Sequence, residues 1–220
     1  MKYSLWATSI IESMIVLLVV VTGITWVYWL LISSQKLANS TSKRIEAIQI
    51  ARDGLEAFIN IRDTNWTLFA ADYDNCWNTL NYNDACIWIA TTATDMRHWG
   101  NQWYKIYRDS ENKFRLVLWS YAPGDAYNES TYRNLFQVQK EASWFYTQSG
   151  GILYWVNGTP FYTREIRLDY KNSSWVSVWP SSSNNDSVEV NVIVQWNDSA
   201  KDEPQKLEMS TLLTNWKAKK

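Results

Sequence analysis

The chain has 220 residues, which is enough for one large domain or for one domain with an appendage. It carries 21 Lys and Arg against 22 Asp and Glu, and this balance excludes a strongly basic nucleic-acid-binding protein and an acidic disordered tail. With one histidine and two cysteines, it has almost no material for a metal site of several His and Cys ligands. We therefore expect no cofactor, no metal and no directly bound nucleic acid.

The first element in chain order is an apolar segment without a charged residue, residues 13–32. As a helix it would be roughly 30 Å long, the thickness of a hydrocarbon core. It is longer than the apolar part of a signal peptide, usually about 7–15 residues, and no small-residue cleavage site follows it. Trp26, Tyr28 and Trp29 near its end suit a membrane interface. A buried core helix is the alternative, but the segment favours a single retained membrane span.

The flanking charges leave the orientation of this span open. Only Lys2 precedes it, whereas three basic residues follow it within residues 36–44, which favours a C-terminal part inside the cell. Cys76 and Cys86 favour the opposite, because two cysteines ten residues apart are a plausible disulfide in an exported domain. Such a bond would stabilise the fold by about 2–3 kcal/mol, and two free buried thiols are the alternative.

A carboxylate, Glu12, stands at the mouth of the apolar segment, where burial in lipid would be costly. It follows a short polar leader with one lysine, residues 1–7, and the four residues 8–11. This N-terminus resembles the class III signal of type IV pilins and pseudopilins. The resemblance implies that a prepilin peptidase cuts between Ala7 and Thr8, so that Glu12 becomes fifth in the mature chain.

In that family the glutamate neutralises the new N-terminal amine, typically of a neighbouring subunit, inside the filament core. Opposite charges attract strongly at low dielectric, which selects the axial stagger of the subunits. The chain departs from the family pattern at two positions: Ala7 stands where a glycine is usual, and Thr8 where a phenylalanine is usual. Methylation of the Thr8 amine is therefore left open.

The helix is predicted to continue beyond the apolar segment as one element over residues 8–61, because no proline occurs before Pro123. Its second half carries an imperfect apolar stripe on the domain side, formed by Ile45, Ile48, Leu55 and Ile59. A separate linker and helix, divided at residues 39–42, is the alternative. Turn-forming residues at 61–66 are predicted to end the helix.

Strand signals dominate the later sequence. Residues 103–107 and 113–119 predict one hairpin, and residues 152–156 and 161–170, joined by Asn157-Gly158, predict another. Apolar and polar residues alternate along 188–196 and 206–213, which predicts antiparallel strands with one buried and one solvent-exposed face. This closing pair also resembles the C-terminal strands of minor pilins.

These elements predict an α+β fold in which a long N-terminal helix packs on an antiparallel β-sheet, as the pilin resemblance also implies. The expected division is a leader at 1–7, a transmembrane half of the helix at 8–35, a soluble half at 36–62, and an extracytoplasmic globular domain at 63–220.

The resemblance implies a structural subunit of a type IV pilus or type II secretion-like filament, held first in the cytoplasmic (inner) membrane and then displayed in an extracellular filament. Its expected partners are other pilin subunits, the prepilin peptidase and the membrane. We expect no enzymatic activity, because His98 has no second histidine and no phosphate loop or nucleophile elbow occurs. The alternative is an uncleaved, single-pass anchored extracellular protein that binds a ligand such as a glycan.

The 15 tryptophans and 7 glycines depart from ordinary usage, where ~7% glycine would give about 15. The tryptophans can be core residues, or they can form an aromatic ligand-binding face. A third interpretation is that some of these positions are glycines in the source, because some bacterial lineages read the codon UGA as glycine and a translation that reads it as tryptophan would raise the tryptophan count. Trp26, Trp29 and Trp175 fit the last interpretation best. Trp66, Trp196 and Trp216 fit their surrounding motifs as tryptophans.

Overall fold

The computed structural model describes residues 4–72, 76–87, 103–119, 127, 130–140, 146–148, 152–153, 155–156, 159–160, 162–171, 187–198 and 203–214. The chain divides into two compact units, residues 1–44 and residues 45–220. One unbroken helix, α1, contributes residues to both units, and the sheet belongs to the second.

The described elements follow the expected α+β class. They are α1 (Ser4–Leu68), two short 3-10 helices (Leu80–Tyr82 and Asp84–Cys86), β1 (Trp103–Arg108), β2 (Phe114–Trp119), α2 (Ser130–Phe136), β3 (Gln139–Lys140), β4 (Tyr146–Thr147), β5 (Ile152–Leu153), β6 (Trp155–Val156), β7 (Thr159–Pro160), β8 (Tyr162–Lys171), β9 (Ser187–Trp196) and β10 (Gln205–Thr214). Five strands form an antiparallel sheet in the order β10-β9-β8-β1-β2. Small sheets β4-β3-β5 and β6-β7 accompany it.

The predicted helix end at residues 61–66 is wrong, because α1 continues through this segment. Asn65 is fully buried, and its side-chain amide donates to the carbonyls of Trp77 at 3.2 Å and Thr79 at 2.9 Å. The neighbouring Trp66 is 4% exposed and lies in the core. Because the side chain of Asn65 donates its hydrogen bonds to the loop that follows α1, it does not compete for the backbone hydrogen bonds of the helix, and the helix continues past it.

The face that α1 turns to the domain differs from the predicted stripe. Leu55 is buried and Ile59 partly buried, but Ile45 and Ile48 are 53% and 39% exposed. The buried face recurs at intervals of three and four residues and is formed by Ala47, Ile50, Ala51, Gly54, Leu55, Phe58 and Ile61. Three of these residues are small, so the helix axis can approach the sheet closely.

The approach is closest at Gly54. A Cβ atom built there would lie 3.3 Å from Cδ of Arg164 and 3.3 Å from Cγ1 of Val192. Any larger residue at this position would require Arg164 or Val192 to shift, which favours glycine here, although a glycine inside a helix costs about 1 kcal/mol relative to alanine.

The sheet has one apolar face, which packs against α1. Register pairs Tyr162 with Trp196 and Ile166 with Val192, so the alternating apolar residues of β8 and β9 share that face. The core they form also includes Tyr104, Ile106, Leu116, Leu168, Val188, Val190, Val194 and Leu213.

The opposite face of the sheet is not uniformly exposed, contrary to the prediction for the closing strands. In β9, Ile193 and Gln195 on this face are 2% and 7% exposed. In the neighbouring β8, Glu165 is 2% exposed and accepts a 2.8 Å hydrogen bond from the hydroxyl of Tyr132 in α2. The short helix α2, which no sequence pattern predicted, thus supplies a partner for a buried carboxylate.

Two of the three predicted hairpins are present. β1 pairs with β2, and β9 pairs with β10 along their whole length. The third is wrong in its partners: Asn157-Gly158 separates β6 from β7, which pair at Val156 and Thr159, whereas β8 pairs with β1 and β9. β8 pairs with β9 along its whole length and with β1 at Trp103 and Tyr104, and these pairings bury its apolar face.

Candidate functional site

The part of α1 in the first unit exposes an unusual amount of apolar surface. Its large apolar side chains between residues 10 and 31 are 49–71% exposed. They are Ile10, Ile11, Met14, Ile15, Val16, Leu17, Leu18, Val19, Val20, Val21, Ile24, Trp26, Val27, Tyr28, Trp29, Leu30 and Leu31. This helix is long and apolar enough to cross a membrane, so α1 is a candidate single-pass membrane anchor.

The hydroxyl groups of this segment are satisfied within the helix itself. Thr22 donates to the carbonyl of Leu18 at 2.9 Å, and Thr25 donates to the carbonyl of Val21 at 2.7 Å. Because hydrocarbon offers no hydrogen-bond partners, internal satisfaction of side-chain hydroxyls is what such a medium requires.

The residues predicted for processing and assembly lie at the start of the same helix. Ala7 and Thr8 are inside the first turns of α1, and their side chains are outside the described set. Glu12 is exposed and makes no ion pair with any residue that the structure describes. The large apolar side chains that precede and follow it in the helix, such as Ile11 and Ile15, are also exposed.

In the second unit, Glu46 connects α1 to the sheet. Its two carboxylate oxygens accept hydrogen bonds from the hydroxyls of Tyr162, at 3.0 Å, and Tyr146, at 3.3 Å. Burial, and then the Glu46 carboxylate, raise the pKa of Tyr162 well above its ordinary range. The tyrosine therefore remains a hydrogen-bond donor at every physiological pH.

The predicted disulfide between Cys76 and Cys86 is present, with Cα atoms 5.2 Å apart and both residues buried. The loop that it closes covers the edge of the sheet. Asn81 donates from Nδ2 to the Leu116 carbonyl at 3.0 Å, and the Leu116 N–H donates to Asn81 Oδ1 at 2.8 Å. One side chain thus occupies both hydrogen-bonding groups of an edge residue, which protects β2 from pairing with another strand.

A polar cleft of about 190 Å³ opens between α1 and the β1–β2 hairpin. Helix α1 supplies Asp53, Glu56 and Asn60, which are spaced three and four residues apart and so share one side of the helix. The hairpin supplies Arg108 and Phe114, whose guanidinium and ring stack at 4.5 Å.

Arg164 forms the floor of the polar cleft and is 1% exposed. Its three nitrogen groups donate to the Ile50 carbonyl at 3.3 Å, the Tyr146 carbonyl at 3.3 Å and Gln148 Oε1 at 3.4 Å. Burial lowers the pKa of its guanidinium to about 10, opposed by Asp53, so the group stays charged at neutral pH.

Of the two carboxylates in the polar cleft, Asp53 is more buried than Glu56. Burial raises its pKa above the ordinary value of 3.8, and the positive charges of Arg164 and Arg108 and the backbone N–H of Tyr146 oppose that rise. Asp53 forms no ion pair with any described residue, whereas Glu56 is bonded to Arg52 at 2.8 Å. The polar cleft therefore holds two cations and two carboxylates, one of which lacks a direct ionic partner.

The sequence prediction missed this cleft, although one signal for it exists. Arg164 stands in phase with Tyr162, Ile166 and Leu168, so strict alternation places a charge on the apolar face of β8. Gly54, inside an otherwise apolar helix face, is the matching signal on α1.

Other predicted features fall partly outside the described residues. His98, Trp175 and Trp216 lie outside them. Trp66 and Trp196 are buried in the core, and no residue of the described set belongs to a group of three or more metal-ligating side chains.

Comparison of the chain with protein-family models, with curated protein sequences and with solved structures finds no match in any of the three. The chain is an α+β protein with a long N-terminal helix, and its two candidate sites are the exposed apolar segment of α1 and the polar cleft.

Proposed function

We propose that this protein is a structural subunit of a pilus-like or secretion-type filament, processed by a prepilin peptidase and assembled through α1. The observation that carries the proposal is the exposed apolar surface of residues 10–31, in a helix whose later residues form part of the domain core. Such a surface is stable in lipid or against other apolar helices, and it is unfavourable in water.

Glu12 supports assembly through charge pairing. An exposed carboxylate among apolar side chains is tolerated at a membrane interface but is costly once water is removed. Cleavage between Ala7 and Thr8 would create a free amine four residues before it. A neighbouring subunit could then neutralise Glu12 with that amine, which makes the pairing selective for one axial stagger.

The processing step is tested by intact and N-terminal peptide mass spectrometry of the full chain, expressed with and without a prepilin peptidase. We expect a mature chain that begins at Thr8 only when the peptidase is present. A chain that keeps residues 1–7 in both cultures would contradict the proposal.

The assembly step is tested with Glu12→Ala in a strain that forms filaments containing the protein. We expect this variant to be processed but absent from sheared filaments. Glu208→Ala is the matched control, because Glu208 is an exposed carboxylate on β10 and lies far along the chain from the apolar segment. Normal incorporation of Glu12→Ala would show that the charge is not used for assembly.

A second candidate function is an uncleaved, anchored extracellular protein that binds a ligand. The polar cleft at Arg164 favours it, because a filament subunit needs no such cavity. The mass-spectrometric experiment separates the two candidates, since only the filament subunit requires cleavage before Thr8.

A further inference from the structure

The polar cleft has properties that select a class of ligand. Its volume of about 190 Å³ is below the range of roughly 300–1,000 Å³ that holds drug-sized molecules, so its occupant is small. Its wall combines the aromatic ring of Phe114 and the aliphatic Ile106 with the planar polar groups of Asp53, Glu56 and Asn60. A ligand with both C–H faces and several hydrogen-bonding groups would use all of this surface.

The polar cleft offers a ligand both hydrogen-bond acceptors, on Asp53 and Asn60, and donors, on Asn60 and Arg108. Arg164 already donates to three protein oxygens, and Arg108 donates to Asn112 Oδ1 at 2.9 Å while it stacks on Phe114. Asp53, in contrast, is half-buried and has no ion pair among the described residues. A ligand whose groups both donate and accept hydrogen bonds therefore matches this lining, with the Asp53 carboxylate, which already accepts the backbone N–H of Tyr146, as one of its acceptors.

The charges decide between a cationic, an anionic and a neutral donor. Asp53 experiences the positive charges of both Arg164 and Arg108, which would repel an ammonium group brought to the same carboxylate. A carboxylate or phosphate would meet the negative charges of Asp53 and Glu56. Within the lining, Arg164 and Arg108 balance Asp53 and Glu56, and Glu56 is also paired with the exposed Arg52 outside the lining, so a neutral ligand avoids both penalties.

We propose that the polar cleft binds a neutral carbohydrate through a single pyranose ring. Vicinal hydroxyls donate to the Asp53 carboxylate, the Asn60 amide contributes a donor and an acceptor at the rim, and the C–H face of the ring lies against the apolar wall. This site does not depend on filament assembly, because every residue in it belongs to the second unit.

The test uses the full chain in micelles of a detergent without a sugar headgroup. Glucose, galactose and N-acetylglucosamine are titrated to about 50 mM and followed by saturation-transfer NMR, since millimolar affinity is the expected range for so small a site. Glycine, acetate and choline serve as zwitterionic, anionic and cationic probes. We expect saturable binding of at least one sugar and none of the charged probes.

Three variants connect binding to the polar cleft. Asp53→Ala should weaken sugar binding at least about tenfold, and Asn60→Ala, at the exposed rim, should weaken it less. Glu208→Gln, outside the polar cleft, should bind as the unmodified chain does. Each variant is checked for a cooperative unfolding transition well above the temperature of the titration, which separates lost binding from lost folding.

The proposal is overturned if no sugar saturates a folded chain, if acetate, glycine or choline binds instead, or if both Asp53→Ala and Asn60→Ala retain full affinity. None of these results bears on cleavage before Thr8, so failure of the sugar site and failure of the filament proposal are separately visible.

Discussion

Substitution of Gly54 by leucine tests the packing of α1 on the sheet. A Cβ at this position already lies 3.3 Å from side-chain carbons of both Arg164 and Val192, and leucine adds three more carbons. Neither neighbour can yield freely, because Val192 is fully buried and Arg164 is held by its bond to the Ile50 carbonyl. The helix must therefore move away from the sheet.

The expected loss of stability follows from two opposing effects. Overpacking a core position costs about 3 kcal/mol, and the gain of leucine over glycine in a helix returns about 1 kcal/mol. The net destabilisation is about 2 kcal/mol. For a protein of this size, each kcal/mol lowers the melting temperature by roughly 2–4 °C, so we expect a decrease of about 4–8 °C.

The assay is thermal unfolding of the full chain in detergent micelles, followed by tryptophan fluorescence. Gly23→Leu is the matched control, because a Cβ at Gly23 meets no atom within 4 Å and the residue lies in the same helix. Its melting temperature should stay unchanged. If Gly54→Leu melts where the unmodified chain does, the close approach of helix and sheet at this point is refuted.

Three further predictions concern the second unit. Replacing Cys76 and Cys86 together by serine should lower the free energy of unfolding by about 3 kcal/mol, measured by denaturant titration, and an unchanged midpoint would contradict this. Tyr162→Phe should cost about 1–2 kcal/mol in the same titration, because the Glu46 carboxylate loses a donor; equal stability would show that water replaces the hydroxyl. Because burial raises the pKa of Asp53 above 3.8, its ionised form destabilises the fold, so the stability advantage of Asp53→Asn should grow as the pH rises from about 4 to about 6. A pH-independent difference between the two proteins would argue against that burial.

Strand positions were predictable because alternation in this sheet is pronounced. In β9, the residues of one parity are all apolar and all buried, whereas the same parity in the partner strands includes Arg164 in β8 and partly buried residues in β10. Pairing was less predictable, since the turn at Asn157-Gly158 identifies a hairpin but not the lengths of its strands. β8 pairs with β1 and β9 because those contacts bury more apolar surface than a local hairpin would.

The helix face was predicted incorrectly for a physical reason. A search for large apolar side chains selects Ile45 and Ile48, whereas the interface uses Ala47, Ala51 and Gly54, whose small size allows close packing. Large residues left outside are then available to contact other molecules. The hydropathy of a single helix does not tell which of two apolar faces meets its own domain.

The two departures from local rules occur at one point of the structure. A glycine inside a helix and an arginine on an apolar strand face are each unfavourable alone, yet Gly54 and Arg164 are in contact. An apolar side chain at position 164 would fill the same interface without requiring three oxygen acceptors, so core stability does not account for the charge. At the polar cleft beside it the charge has a further effect, because the positive charge of Arg164 opposes the rise that burial causes in the pKa of Asp53. Both exceptions to the local rules thus lie at or beside the polar cleft, which is where we propose that a ligand binds.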